Sequence, residues 1–452
     1  MPLRESLLKT VLIGIAFFAF QNSWADLPQE YSLRIQDAEK IALQTSNRLK
    51  SSISDQEAAN QQADSSRATL FPRLSFEGNY QYLGTVPSIQ IGAAPPIQLG
   101  SSSNYSIGPV LRYTLWDTFS ALKSFHGLSK VAEARGEDRK NAQLQLLFAT
   151  RSAYIRVELA LEELRLVNDS LALARAQDKD VTNRFHAGAA ARLDLVTSHR
   201  GVLSYDLQFS QKQADLSSAL KDLLAVLDDT SPRDVSHPGP PHVENVSLVL
   251  NLDPFEKLLS ENTGPIAPPD QKQPQIRSQH LLVEASELTA DSQSAKLYPT
   301  LQLSAETSLN YPNGPKLEQI HQNTVILGFS MPLYLGDPTW HQVSQTRKQA
   351  ESLRYREDQL RIDIQRDFSK AQEMLASLRE QQVLAKQDIQ QSEEAAKLYY
   401  ESYRAGKINL IDVQNADVQA LQSKVNGARI DAQILNQLIT LKSLSGKEVT
   451  ND

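Results

Sequence analysis

The 452-residue chain contains no cysteine. No disulfide can staple it, and it cannot be a lipoprotein acylated on an N-terminal cysteine, so an exported protein of this size must rely on packing and assembly. Only three methionines are present, and histidines 126, 186, 199, 237, 242, 280, 321 and 341 are scattered without a His-x3-His pair. A soft-metal site is therefore not expected. Gly-rich phosphate loops and Gly-x-Ser-x-Gly elbows are missing too. Glu162-Glu163 and Glu393-Glu394 fall in helical stretches and read as solvated faces, not as an acid/base pair. No enzyme constellation and no cofactor emerge. Positive charge is in deficit, with 46 Lys and Arg against 53 Asp and Glu, which argues against nucleic-acid partners. Past residue 20 no segment approaches 18 consecutive apolar residues, so transmembrane helices are not expected. A β-barrel stays open, because its signal per strand is weak.

The N-terminus reads as a secretory signal. Arg4 and Lys9 supply positive charge, Val11 to Phe20 is an apolar run too short to span a bilayer, and Ser23-Trp24-Ala25 fits a small-x-small cleavage site. Residues 1–25 are thus assigned to a signal peptide, and the mature chain to a start at Asp26. Loss of Arg4, Lys9 and Glu5 moves the formal charge from −7 to about −8.

What the chain does have is a long pattern present twice. Phe185-His186-Ala187-Gly188 is followed by Asp194, and Tyr403-Arg404-Ala405-Gly406 by Asp412, 218 positions later. Ala68-Thr69-Leu70-Phe71-Pro72-Arg73-Leu74 matches Ala295-Lys296-Leu297-Tyr298-Pro299-Thr300-Leu301, and Gly108 precedes Asp117 by nine residues as Gly328 precedes Asp337. Three landmarks in one order indicate duplication of a large supersecondary unit.

Each copy carries two alternating strands. Leu74, Phe76, Tyr80 and Tyr82 share one face, and Tyr105, Ile107, Leu111, Tyr113 and Leu115 share the next. The second copy repeats this with Leu301, Leu303, Ala305 and Leu309, then Val325, Leu327, Phe329, Met331, Leu333 and Leu335. Ten-residue alternation with aromatic ends fits a transmembrane barrel or a half-buried soluble sheet. Four strands cannot close a barrel in one chain, and open edges are not tolerated in lipid, so in a membrane several chains must share one barrel. Three chains would supply twelve strands.

The remainder reads as helix. A 3-4 spaced seam runs through Thr150, Ala153, Val157, Ala160, Leu164, Val167, Leu171, Ala174, Asp178, Val181 and Phe185. It recurs through Phe368, Ala371, Leu375, Leu378, Gln382, Ala385, Ile389, Ser392, Ala396, Tyr399 and Tyr403, with Asp178 the one clear break. Gly188 and Gly406 are expected to end these helices as C-caps, and Asp194 and Asp412 to sit in the first turn of the next. The spacing of Ile35, Ala38, Ile41, Ala42 and Leu49 predicts an opening helix continuing to Ala59. The expected organisation is a first repeat over 26–227, with helix, β-hairpin 73–116 and helical hairpin 117–227. A proline-rich equatorial linker covers 228–274, with one short helix at Pro254 to Ser260. A second repeat covers 275–452, with helix, β-hairpin 300–335 and helical hairpin 337–444.

With these landmarks the chain resembles the TolC-like outer-membrane efflux protein family over nearly the whole mature sequence. The likeness rests on the opening helix Leu33 to Leu43, the Leu-[Phe/Tyr]-Pro-x-Leu start of each hairpin and the two Gly-x5-Asp tips. The resemblance implies an α+β membrane protein: a homotrimer whose twelve-stranded outer-membrane β-barrel, four strands per chain, continues into a long α-helical coiled-coil barrel through the periplasm. It implies contact with outer-membrane lipid, and a passive exit duct for a tripartite efflux pump or type I secretion system. The tips would then dock on a periplasmic adaptor that links to an inner-membrane pump, proton-driven or ATP-driven. By the same resemblance Gly188, Ala189, Arg192, Leu193, Gly406, Lys407, Ile408 and Leu410 would form the docking tips. Tyr403 matches a gating tyrosine, Asp194 the acid it bonds, and Asp412 an acidic ring at the constriction. The family's arginine two after the second tip glycine is Ile408 here, and a further acid is Asn415. Arg404, Lys407 and Arg192 are nearby cations able to substitute. A structural or adhesive surface coiled-coil protein without a duct is the alternative, and plain helix-start stabilisation is the alternative role for Asp194 and Asp412.

Overall fold

The computed structural model describes residues 31–90, 92, 96–228, 250–261, 266–270, 273–333 and 338–446. The expected signal peptide, much of the linker, Leu335 and Asp337 lie outside the described residues. The elements run β1 (Tyr31–Ser32), α1 (Ile35–Thr45), α2 (Asn47–Ala68), β2 (Arg73–Tyr82), β3 (Ser88–Ile89), β4 (Ile97–Gln98), β5 (Ser103–Trp116), α3 (Ser120–His186) and α4 (Arg192–Val226). They continue through β6 (Leu250–Asn251), α5 (Phe255–Glu261), α6 (Pro274–Ala295), β7 (Thr300–Tyr311), β8 (Ile320–Ser330), α7 (Thr339–Arg404) and α8 (Leu410–Ser445). The opening helix is broken, against expectation: Ser46 ends α1 and its hydroxyl accepts from the Leu49 N–H at 3.3 Å, capping α2.

The two hairpins merge into one antiparallel sheet in the order β2-β5-β7-β8. The period-2 alternation puts Leu74, Phe76, Tyr80 and Tyr82 of β2 and Val325, Leu327 and Phe329 of β8 on one face, each more than 60% exposed. The opposite face is polar, with Glu77 of β2 gripping the Arg112 guanidinium of β5 through both oxygens. A bulge between Thr114 and Trp116 shifts the register, so Trp116 and not Leu115 lies opposite Leu301. The seam between the halves is β5 against β7, where the Tyr105 and Tyr311 rings stack at 5.3 Å. Gly108 and Pro109 interrupt it between the pairs Ile107–Leu309 and Val110–Glu306.

At the strand-to-helix switch Thr118 and Phe119 take positive φ, and the Asp117 carboxylate accepts the Ala121 N–H at 2.7 Å, starting α3. The helices α3 and α7, 67 and 66 residues long, run the full height of a single helical layer, each roughly 100 Å. Near the sheet the order is α2-α3-α6-α7, and in the far half it is α4-α3-α8-α7. Small residues let α3 and α6 approach closely: Ser120 and Ser292 exchange hydroxyl-to-carbonyl bonds of 2.9 and 2.8 Å, and Gly127 faces the Ala285 carbonyl.

The seam buries Thr150, Ala153, Val157, Ala160, Leu164, Val167, Leu171 and Val181, and in α7 Phe368, Ala371, Leu375, Leu378, Ala396 and Tyr403. Two positions correct the sequence reading. Tyr399 is 44% exposed, and Tyr400 turns inward instead, because the step after Ala396 is four residues, not three. Glu163 is not on a solvated face. It is buried, with Lys212 of α4 at 2.6 Å and Arg429 of α8 at 2.7 Å, and so ties three helices together. The break at Asp178 is an anchor: its carboxylate accepts from Ser198 and meets His199 Nδ1, both at 2.6 Å, locking α4 to α3. Gln382 likewise donates to Asp431 of α8 at 2.5 Å.

The largest core lies at mid-height, where α1, α3, α4, α5 and α8 meet around Tyr154, Leu161, Leu164, Leu216, Leu258 and Leu435. The fully buried Tyr154 hydroxyl donates to the Leu33 carbonyl and accepts from the Asp253 N–H, both at 2.8 Å. It pins the chain before α1 and the strap before α5 to α3, beside the β1–β6 pairing. Tyr154→Phe strands a half-buried carbonyl and a buried N–H, at a cost on the order of 2 kcal/mol. The expected outcome is a lower unfolding temperature, together with faster proteolysis near residue 250.

Candidate functional site at the hairpin tips

The tips are the α3–α4 and α7–α8 turns, and local chemistry makes them alike. Gly188 and Gly406 have φ of 74° and 70°. The Gly188 N–H donates to Phe185 O at 3.0 Å and the Ala189 N–H to Arg184 O at 2.7 Å; the Gly406 N–H donates to Tyr403 O at 2.9 Å and the Lys407 N–H to Ser402 O at 3.0 Å. This double closure needs a left-handed residue, which glycine supplies without a Cβ penalty. Beyond each turn an acid holds the next helix start: Asp194 Oδ2 accepts the Ala191 N–H at 3.3 Å, and Asp412 Oδ2 the Asn409 N–H at 3.4 Å. Both acids therefore perform the helix-start role.

Between the tips lies a small core of Val181, Tyr403, Leu410 and Val413, with Tyr400 and Ile408 half-buried against it. The Tyr400 hydroxyl donates to Asp180 Oδ2 on α3 at 3.0 Å, and burial, then this carboxylate, pushes its phenol up to about 12. Tyr403 is buried, and its hydroxyl has no hydrogen-bond partner within the protomer. Burial first, then the Asp194 carboxylate, raises its phenol, so Tyr403 and Asp194 are brought together, although the hydroxyl does not reach hydrogen-bond geometry. The Arg184 guanidinium lies over the Tyr403 ring, 5.0 Å from its centroid. Two further contacts knit α8 to the first hairpin: Gln414 donates to the Thr197 carbonyl at 2.9 Å and Gln177 to Asp417 at 3.0 Å.

Gly188, Ala189, Arg192, Gly406 and Lys407 are exposed at the turns, and Leu193 is 67% exposed. Leu410 is not: it is 2% exposed and packs inside the tip core, so it presents nothing to a partner. The residue equivalent to Leu193 in the second copy is Ile411, which is 50% exposed. Counting 218 positions from Leu193 identifies it from the sequence. Arg184 and Asp180 have no such signal, since their counterparts are Ser402 and Leu398.

The family model for outer membrane efflux proteins matches residues 40–228 and 270–447. Among curated proteins, the cobalt-zinc-cadmium resistance protein CzcC of Cupriavidus metallidurans is 22% identical over 305 residues, covering 65% of this chain and 66% of that protein. The solved structure of a membrane protein from Pseudomonas aeruginosa matches with a TM-score of 0.72 at 18% identity, covering 91% of this chain and 93% of that one. The Campylobacter jejuni CmeC outer membrane channel matches with a TM-score of 0.73 at 16% identity, covering 92% and 87%.

Proposed function

We propose, from the premise that this chain belongs to the outer membrane efflux protein family, that three copies form an exit duct across the outer membrane, fed through the periplasm by an adaptor and an inner-membrane pump. One observation carries this reading. The four-stranded sheet is apolar on one face, polar on the other and unpaired along β2 and β8, and each of its hairpins continues into a long helix. In lipid every backbone group has to be paired, so such edges require other chains. Because each chain contributes four alternating strands, β8 of one protomer meets β2 of the next antiparallel, and three copies make twelve. The helical layer supports the same assembly: its edge helices expose Leu193, Val196, Leu203 and Leu207 on α4 and Val383, Leu384 and Leu398 on α7.

The duct is tested by fractionation. The expected result is outer-membrane recovery and a trimer band that collapses on heating, and a soluble periplasmic monomer would refute it. An adhesive coiled coil has no use for a lipid-facing sheet with open edges.

The tips are the proposed gate and docking surface. Tyr403 and Asp194, already close in the protomer, are to close their bond in the shut trimer, and three Asp412 carboxylates are to form a ring, a known basis for cation selectivity. Asp412→Ala is expected to lose block by magnesium ions in planar bilayers, and unchanged block would sink the ring. Among the described residues no group of three or more His, Asp or Glu side chains is placed to hold a metal ion. Choice of cargo is assigned to the pump and adaptor.

A further inference from the structure

The joint between the two hairpin tips holds a guanidinium, stacked on an aromatic ring. Arg184 sits in the last turn of α3, on the first hairpin, and reaches over the ring of Tyr403, on the second. We infer that Arg184 is the cation that positions the tip, clamping α7 to α3 through the Tyr403 ring; this rests on the tip being the gate.

Three observations support the assignment. Arg184 Nη1 is buried without a hydrogen-bond partner, and so is the Tyr403 hydroxyl, so the joint holds two polar groups kept from water. Groups buried without partners are costly to fold. Asp180 accepts Tyr400, and Asp194 accepts the Ala191 N–H. The guanidinium faces the Tyr403 ring at 5.0 Å, within the roughly 6 Å over which a planar cation is attracted by an aromatic face. Finally, the stack spans the two hairpins. The α7–α8 pair cannot swing from α3 without separating Arg184 from Tyr403 and breaking the Tyr400–Asp180 bond. The lock is therefore a cation over a ring plus one phenol–carboxylate bond. Arg192 and Lys407, exposed at the turns, are not needed for it.

The test is single-channel recording of the full-length trimer in planar bilayers at neutral pH, with trimer yield measured in parallel. Arg184→Gln and Tyr403→Ala are each expected to raise conductance several-fold at unchanged yield, and the double variant no further. Tyr403→Phe keeps the ring and is expected to open less than Tyr403→Ala. Arg184→Lys, a compact charge without the planar face, is expected between wild type and Arg184→Gln. Wild-type conductance in Arg184→Gln, alongside opening in Tyr403→Ala, would overturn the role of Arg184 while leaving the gate intact. Unchanged conductance in Arg184→Gln, Tyr403→Ala and Asp194→Ala together would overturn the gate itself.

Discussion

Replacing Gly108 with alanine is expected to abolish the heat-modifiable trimer. A Cβ on Gly108 would lie 2.0 Å from the Thr307 carbonyl oxygen and 2.8 Å from the Ser308 Cα. Both are backbone atoms, so no rotamer change relieves the clash, and β5 has to part from β7. That seam joins the two halves of the sheet, and Pro109 beside it has no N–H to contribute. Parted strands leave unpaired backbone groups, which cost several kcal/mol each in hydrocarbon. Gly78→Ala is the control: the nearest atom to its added Cβ is Ile107 Cγ1 at 3.6 Å, an ordinary contact. Heat-modifiable trimer should survive in Gly78→Ala and vanish in Gly108→Ala. Equal trimer in both would show that the β5–β7 approach is not as close as described.

The second large effect concerns Glu158. It lies on α3 at mid-height, 2% exposed, with Oε2 unpartnered. Burial above all, opposed by Arg165 and reinforced by Glu162 and Asp253, pushes its carboxyl up to about 7. A folded value above the unfolded one means that the folded protein holds the proton more tightly. The stability from this group is complete below the unfolded value of 4.5 and is lost as pH rises through about 7. At about 1.4 kcal/mol per unit the loss is on the order of 3 kcal/mol. Wild type should therefore melt lower at pH 8 than at pH 5, and Glu158→Gln should remove much of that slope and be the more stable of the two at pH 8. A residual slope is expected, because burial also raises Asp417 and Asp431. An undiminished slope in Glu158→Gln would exclude this carboxyl as its source.

How much was legible in the sequence follows from the kind of signal each feature leaves. Periodicity carried the sheet faces and the long helices, because side chains of one kind recur on one face: Leu74 and Phe76 on the exposed apolar face of the sheet, Val157 and Leu164 in the buried seam. The tips at Gly188 and Gly406 were legible from the duplication. Features set by single tertiary contacts left no period. Glu163 reads as surface until Lys212 and Arg429 are seen on either side of it, and Asp178 reads as a flaw until Ser198 and His199 fill it. Gly108 was visible as a landmark, but the reason was not, since a Cβ added to its counterpart Gly328 would meet nothing nearer than 3.9 Å. At the tip, duplication located Tyr403, Asp194 and Asp412. Leu410 was misread because an apolar residue beside a turn looks exposed, whereas the helical phase turns it into the tip core and leaves Ile411 outside. Arg184 belongs to one copy only, so only the fold brings it to Tyr403.

The most direct test of the account is single-channel recording of the full-length protein, purified as a heat-modifiable trimer and added to planar bilayers. The duct reading predicts discrete conductance steps of one size, small at rest and larger when the tip contacts are cut. A trimer that enters the bilayer and passes no current, with intact or altered tips, would contradict it.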